Sequence, residues 1–148
     1  MILEELNIDP DIWGPHLWHS MEAIACTLDN SNKKEICFFF KSLKSVIPCE
    51  KCREHYNIFW DSHPIEEYTH NNLTLLLWLY KLKSEIKKRQ EKEVVPFMDW
   101  IKFLVERYDV PELYFYLQKN DEYRQIMKSL NVTESPFFGK YKLSEYEL

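Results

Sequence analysis

Glycine is nearly absent: the chain of 148 residues holds only Gly14 and Gly139. Tight turns with left-handed backbone are most easily made by glycine, and doubly wound or all-β folds need many of them. So few glycines point to an all-α fold, in which most of the chain lies in helices and turns are rare. The same scarcity removes two nucleotide-binding devices. Neither the Gly-rich dinucleotide fingerprint nor the phosphate loop can be assembled from this sequence. Any nucleotide cofactor must be held by side chains of packed helices.

Hydrophobic periodicity supports the helical reading. Asp9-Pro10-Asp11 has the acidic residue and proline of a helix start. From Ile12 the apolar residues Trp13, Leu17, Trp18, Met21, Ile24, Ala25 and Leu28 recur at three- and four-residue steps. Asp29 to Asn32 interrupts the pattern, and a second helix is expected over 33–46 with Ile36, Phe39, Phe40, Leu43 and Val46 inward. Pro48 stops it, since the residue before a proline is driven out of the helical region. A short third helix follows from about Cys49 to Trp60, then a turn at Asp61 to Pro64. A long fourth helix is capped by Asn71 or Asn72, with Leu75, Leu79, Leu82 and Ile86 as its stripe. A fifth spans about Phe97 to Tyr108 with Trp100, Ile101, Leu104 and Val105 inward. Shorter helices are expected after Pro111 and Asp121, and a loosely attached tail from Asn131. This divides the chain into a helical domain, 1–110, and an extension, 111–148.

Charge excludes some partners. A net charge of −5 gives no footprint for nucleic acid, and the lysines from Lys81 to Arg89 are interleaved with Glu85, as on a solvated helix face. No apolar run approaches the ~20 residues of a membrane span. Met1 to Pro10 lacks the basic and apolar segments of a signal peptide. The expected location is the host-cell cytoplasm. There, four cysteines are more in keeping with redox chemistry than with a stapled scaffold.

Cys49-Glu50-Lys51-Cys52 directly follows Pro48. At the first turn of a helix this spacing brings two sulfurs within disulfide reach. Unpaired N–H groups and the helix dipole favour the first thiolate, and Lys51 and Arg53 add positive charge. Read from the residues alone, Cys49 and Cys52 are a redox pair, with half of a zinc site as the alternative should His55 and a fourth ligand complete it. Cys26 and Cys37 are buried inert thiols or, if the first two helices pair antiparallel, a second disulfide. Trp13, Trp18 and Trp78 at helical spacing are ordinary core residues on this reading, and His55, three positions after Cys52, is a half-buried histidine.

Three blocks in order resemble the Erv/ALR family of FAD-linked sulfhydryl oxidases, in the short form found in large DNA viruses. They are Trp13-Gly14-Pro15-His16-Leu17-Trp18, then Ile47-Pro48-Cys49 through Cys52-Arg53-Glu54-His55-Tyr56, then Pro64 with Leu77-Trp78-Leu79-Tyr80. Together they cover about residues 12–110. The resemblance implies a four-helix bundle plus a short fifth helix around FAD, and a homodimer formed through the first two helices. It implies that Cys49 meets the substrate dithiol and that Cys52 lies against the flavin. Electrons would pass to dioxygen, giving hydrogen peroxide. Trp13, Gly14, Trp18, His55 and Trp78 are then the FAD contacts. Partners would be protein dithiols or a separate thiol carrier protein, in the host-cell cytoplasm or the virion.

The chain departs from the family pattern at Glu22, where the family has histidine, and at Lys83-Ser84, where it has histidine–asparagine. Lys83 and Lys87, one helical turn apart, are assigned to the FAD pyrophosphate in their place. These departures also support another reading: a non-flavin helical dimer that keeps the fold and acts as a disulfide carrier or interaction protein.

Overall fold

The computed structural model describes residues 6–113 and Gln125. Among the described residues there are five α-helices, a single 3-10 turn and no strand. The helices are α1 (Pro10–Cys26), α2 (Lys33–Val46), α3 (Glu50–Ser62), α4 (Asn72–Arg89) and α5 (Phe97–Tyr108), with the 3-10 turn Ile65–Tyr68 between α3 and α4. One compact unit ends at Leu82 and a second begins at Lys83, so the division falls within α4. The helices expected after Pro111 and Asp121, and the tail from Asn131, lie outside the described residues except for 111–113 and Gln125.

Local chemistry sets most boundaries. Asp9 caps α1, its side chain accepting from the Asp11 N–H at 3.0 Å, and Pro10 occupies the first helical position. The turn after α1 is closed by Asn32, which accepts from the Asp29 N–H at 2.9 Å and donates to the Thr27 carbonyl at 2.9 Å. Asn71 caps α4: its side chain accepts from the Thr74 N–H at 2.9 Å, and the Thr74 hydroxyl accepts from the Asn71 N–H at 3.1 Å. Asn72 is occupied elsewhere, donating to the Cys26 carbonyl at the end of α1 at 3.2 Å.

Four local expectations are corrected. The apolar period of α1 runs on to Leu28, but the helix ends at Cys26, and Leu28 is buried from the turn beyond it. Val46 fits the apolar period of α2 but is exposed. The helix stops there, and the pre-proline Ile47 turns extended (φ −56°, ψ 124°) and takes the buried position. The expected turn at 61–64 is partly helix, because α3 runs to Ser62 and the 3-10 turn follows at Ile65. Finally, α4 carries no single stripe in its first half. Every residue from Leu73 to Leu79 is buried, so this stretch is enclosed on all faces.

The core of the first unit is aromatic and centres on Trp78 of α4, which is fully buried. Its indole meets Phe40 of α2 and Tyr56, Phe59 and Trp60 of α3 edge-on, at centroid distances of 5.5, 6.2, 5.3 and 6.0 Å. The indole N–H donates to the His63 carbonyl at 2.9 Å, which ties the end of α3 to α4. Side chains of α3 also reach backbone carbonyls of the preceding segment. Tyr56 donates to Phe40 at 2.6 Å, Asn57 to Lys44 at 3.3 Å, and Arg53 to Ile47 at 2.6 Å. These bonds hold α3 in place along its length. In the second unit, α5 buries Phe97, Met98, Trp100, Ile101 and Leu104, together with the polar Asp99 and Lys102. Burial lowers the Lys102 pKa, and the Asp99 carboxylate opposes that shift.

Glycine scarcity shows again at two helix ends. Glu91 (φ 56°) after α4 and Asp109 (φ 52°) after α5 take the left-handed conformation that glycine usually supplies. The reverse turns are completed by Lys92 N–H to Lys87 at 2.9 Å and Val110 N–H to Val105 at 3.2 Å.

Candidate functional site

The pair forms at the start of α3, where the chain leaves Pro48. Cys49 is the N-cap residue, with extended backbone (φ −154°, ψ 117°), and its Sγ accepts the Cys52 N–H at 3.3 Å. A thiol thus does the capping work that serine or aspartate usually does. Both cysteines are half-buried, and neither is in a disulfide. The surrounding backbone is held by Cys49 N–H to the Ile47 carbonyl and Arg53 N–H to the Cys49 carbonyl, each at 2.9 Å. Of the two cations expected to act locally, Arg53 donates to the Ile47 carbonyl, and Lys51 is exposed. A half-buried cap with its sulfur held next to the Cys52 N–H can take part in thiol–disulfide exchange without rearranging the helix.

The other two thiols sit differently. Burial, then the nearby Glu22 carboxylate, pushes the Cys26 thiol up to about 12, and burial with Glu66 raises Cys37 against the opposing Lys33. Both are free. A thiol with so little thiolate near neutral pH is a poor exchange partner.

The remaining candidate residues are distributed along three helices. On α1, Trp13 and Trp18 are half-buried, and open space lies in front of Gly14, with nothing within 4 Å of the direction a Cβ would take. The Trp13 indole N–H donates to the Ile8 carbonyl at 2.8 Å. On α3, His55 is half-buried one turn beyond Cys52. On α4, Trp78 lies in the aromatic core, Lys83 is buried and Lys87 half-buried. Burial, and then the Lys92 ammonium, lowers the Lys87 pKa. The departures Glu22, Lys83 and Ser84 are all buried. Among the described residues no group of three His, Cys, Asp or Glu side chains could hold a metal ion, which leaves the zinc alternative without a ligand set there. No helix among them is long and apolar enough to cross a membrane.

Nothing in the sequence marks Asn7 and Ile8 as neighbours of the cysteine pair. The Asn7 side chain accepts the Glu50 N–H at 2.7 Å, and the Ile8 N–H donates to the Pro48 carbonyl at 2.8 Å. No periodicity or motif marks a contact between segments 43 positions apart.

A helical protein with a thiol-capped Cys-x-x-Cys helix and an aromatic core behind it belongs to the class of helical dithiol proteins. The family model for the Erv1 / Alr family matches residues 12–109, most of the chain, and the chain belongs to that family. This is the family of FAD-linked sulfhydryl oxidases. No curated protein and no solved structure matches the chain.

Proposed function

We propose that this chain oxidises dithiols of client proteins, or of a thiol carrier protein, through Cys49 and Cys52, with FAD as its cofactor. The observation that carries the reading is the Cys49 cap, its sulfur 3.3 Å from the Cys52 N–H, in a chain of this family. In the oxidised pair, a client thiolate attacks Cys49 Sγ and Cys52 leaves as a thiolate. The client's second thiolate then attacks its own sulfur in the mixed disulfide, and Cys49 leaves. The Cys52 N–H is the donor that receives the charge collecting on Cys49 at that moment. Client and enzyme have then exchanged one disulfide for one dithiol.

FAD, when bound, supplies the acceptor for the two electrons now held by the pair and the contact with dioxygen that yields hydrogen peroxide. The residues present suit such a group. Lys87 is a cation disfavoured by its surroundings, which an anionic pyrophosphate would stabilise, and Lys83 lies one turn away on the same helix. The half-buried indoles of Trp13 and Trp18 and the open space at Gly14 suit a flat ring system. His55 and Trp78 complete the proposed FAD contacts. A homodimer and a cytoplasmic place of work belong to the same proposal, which light scattering and cell fractionation test.

A second reading is favoured by the buried Glu22, Lys83 and Ser84 at family positions. It is a non-flavin helical dimer acting as a disulfide carrier or interaction protein. The visible absorption spectrum decides between them. Flavin bands that bleach with dithiothreitol and recover in air support the oxidase. A protein that stays colourless after incubation with FAD refutes it and leaves the carrier reading.

A further inference from the structure

Two hydrogen bonds grip the backbone on either side of Cys49. Before it, the Pro48 carbonyl accepts the Ile8 N–H at 2.8 Å; after it, the Glu50 N–H donates to the Asn7 side-chain oxygen at 2.7 Å. The gripping segment is anchored in turn. The Trp13 indole N–H holds the Ile8 carbonyl at 2.8 Å, and Asp9 caps the helix on which Trp13 lies. The segment Asn7–Ile8, anchored on α1 through Trp13, is therefore hydrogen-bonded to both peptide units flanking Cys49.

The first N–H groups of a helix have no partner within it. At α3 the Cys52 N–H goes to the Cys49 sulfur and the Glu50 N–H to Asn7, a residue 43 positions upstream. Asn7 is exposed, so core packing does not explain its placement. Its position next to Cys49 does suit a role in holding that residue at the cap.

We propose that Asn7 is a positioning residue for the redox pair: by accepting the Glu50 N–H it holds Cys49 at the α3 N-cap with its sulfur beside Cys52. The proposal rests on the reading of Cys49 and Cys52 as the redox centre. A backbone that is already held loses less freedom when the disulfide closes, so the clasp raises the effective concentration of one thiol at the other. The relevant exchange is balanced with glutathione. The protein dithiol reduces the S–S bond of glutathione disulfide, two glutathione thiols are released, and the two cysteine sulfurs join.

The full-length chain is equilibrated in glutathione redox buffers, quenched with acid, and the Cys49–Cys52 disulfide counted by peptide mapping. Asn7→Ala and Asn7→Leu lower the equilibrium constant for disulfide formation by about five- to tenfold, the effect of losing one hydrogen bond to an ordered turn. Asn7→Asp, whose carboxylate accepts the same N–H, restores it to within about twofold of the parent. Melting curves of Asn7→Ala and Asn7→Leu fall by no more than the ~2–4 °C that one lost hydrogen bond costs, and that of Asn7→Asp stays close to the parent's. Constants unchanged in Asn7→Ala and Asn7→Leu would overturn the positioning role while the redox reading stands. So would a drop in Asn7→Asp equal to that in Asn7→Ala, or a general loss of stability in all three. A parent protein that never forms the Cys49–Cys52 disulfide would sink the redox reading first, and the proposal with it.

Discussion

Trp78→Phe tests what holds α3 in place. Trp78 is fully buried, touches four aromatic rings edge-on, and gives its N–H to the His63 carbonyl at 2.9 Å. Phenylalanine keeps one six-membered ring and loses the pyrrole portion and the donor. Truncating a buried tryptophan to alanine costs about 3–5 kcal/mol, so the smaller change forfeits roughly half, about 2 kcal/mol. The lost hydrogen bond adds about 1 kcal/mol. The sum, about 3 kcal/mol, is a large share of the ~5–15 kcal/mol that stabilises a typical domain. At ~2–4 °C per kcal/mol for a chain of this length, Tm falls by roughly 6–12 °C. Thermal melts followed by far-ultraviolet circular dichroism measure it, with flavin fluorescence recorded in parallel. A fall below about 2 °C with helix content intact would refute the view that these contacts bind α3 to α4. Flavin release with no thermal effect would instead assign Trp78 chiefly to the cofactor.

Three further outcomes are expected. Cys52→Ser and Cys49→Ser each abolish dithiol oxidation, followed as oxygen uptake, while the circular dichroism spectrum is retained; turnover in either variant would remove the pair from the reaction. Cys26 titrates from 9.0 in the unfolded chain and from about 12 in the folded one, so above pH 9 the unfolded chain binds fewer protons and stability falls as pH rises. Cys26→Ala should flatten that alkaline decline in melts between pH 8 and pH 11, and an unchanged slope would contradict the assigned burial. Glu91→Gly relieves a left-handed residue at the end of α4 and should stabilise by about 0.5–1 kcal/mol, read as a higher urea midpoint; destabilisation would show that Glu91 makes a compensating contact.

Much of the fold was legible because helices are specified locally. The proline and aspartate at the start of α1, the proline after α2 and the asparagine before α4 each act within a few residues, and the boundaries follow them closely. The placement of Cys49 and Cys52 at a helix start was legible for the same reason, since their spacing and the preceding proline act locally. Interior and exterior were less so. Val46 fits the apolar period of α2 yet is exposed, because the extended Ile47 reaches the core first. The leucines of α4 read as one stripe, although Leu76 and Leu77 are as buried as Leu75 and Leu79. Periodicity records one packing face, and a helix enclosed all round has none.

By itself, then, the sequence determined the all-helical class and most helix starts, and it marked Cys49 and Cys52 as a pair at a helix start, because glycine scarcity, capping and hydrophobic period act over one or two turns. The tertiary structure alone decided that four rings gather on Trp78, that Cys26 is silenced by burial beside Glu22, and that Asn7 grips the turn at Cys49. Each of these depends on burial or on contacts between segments far apart in the chain, and a side chain's solvation is fixed only when those neighbours arrive, even where one partner, Glu22, lies one turn away on the same helix.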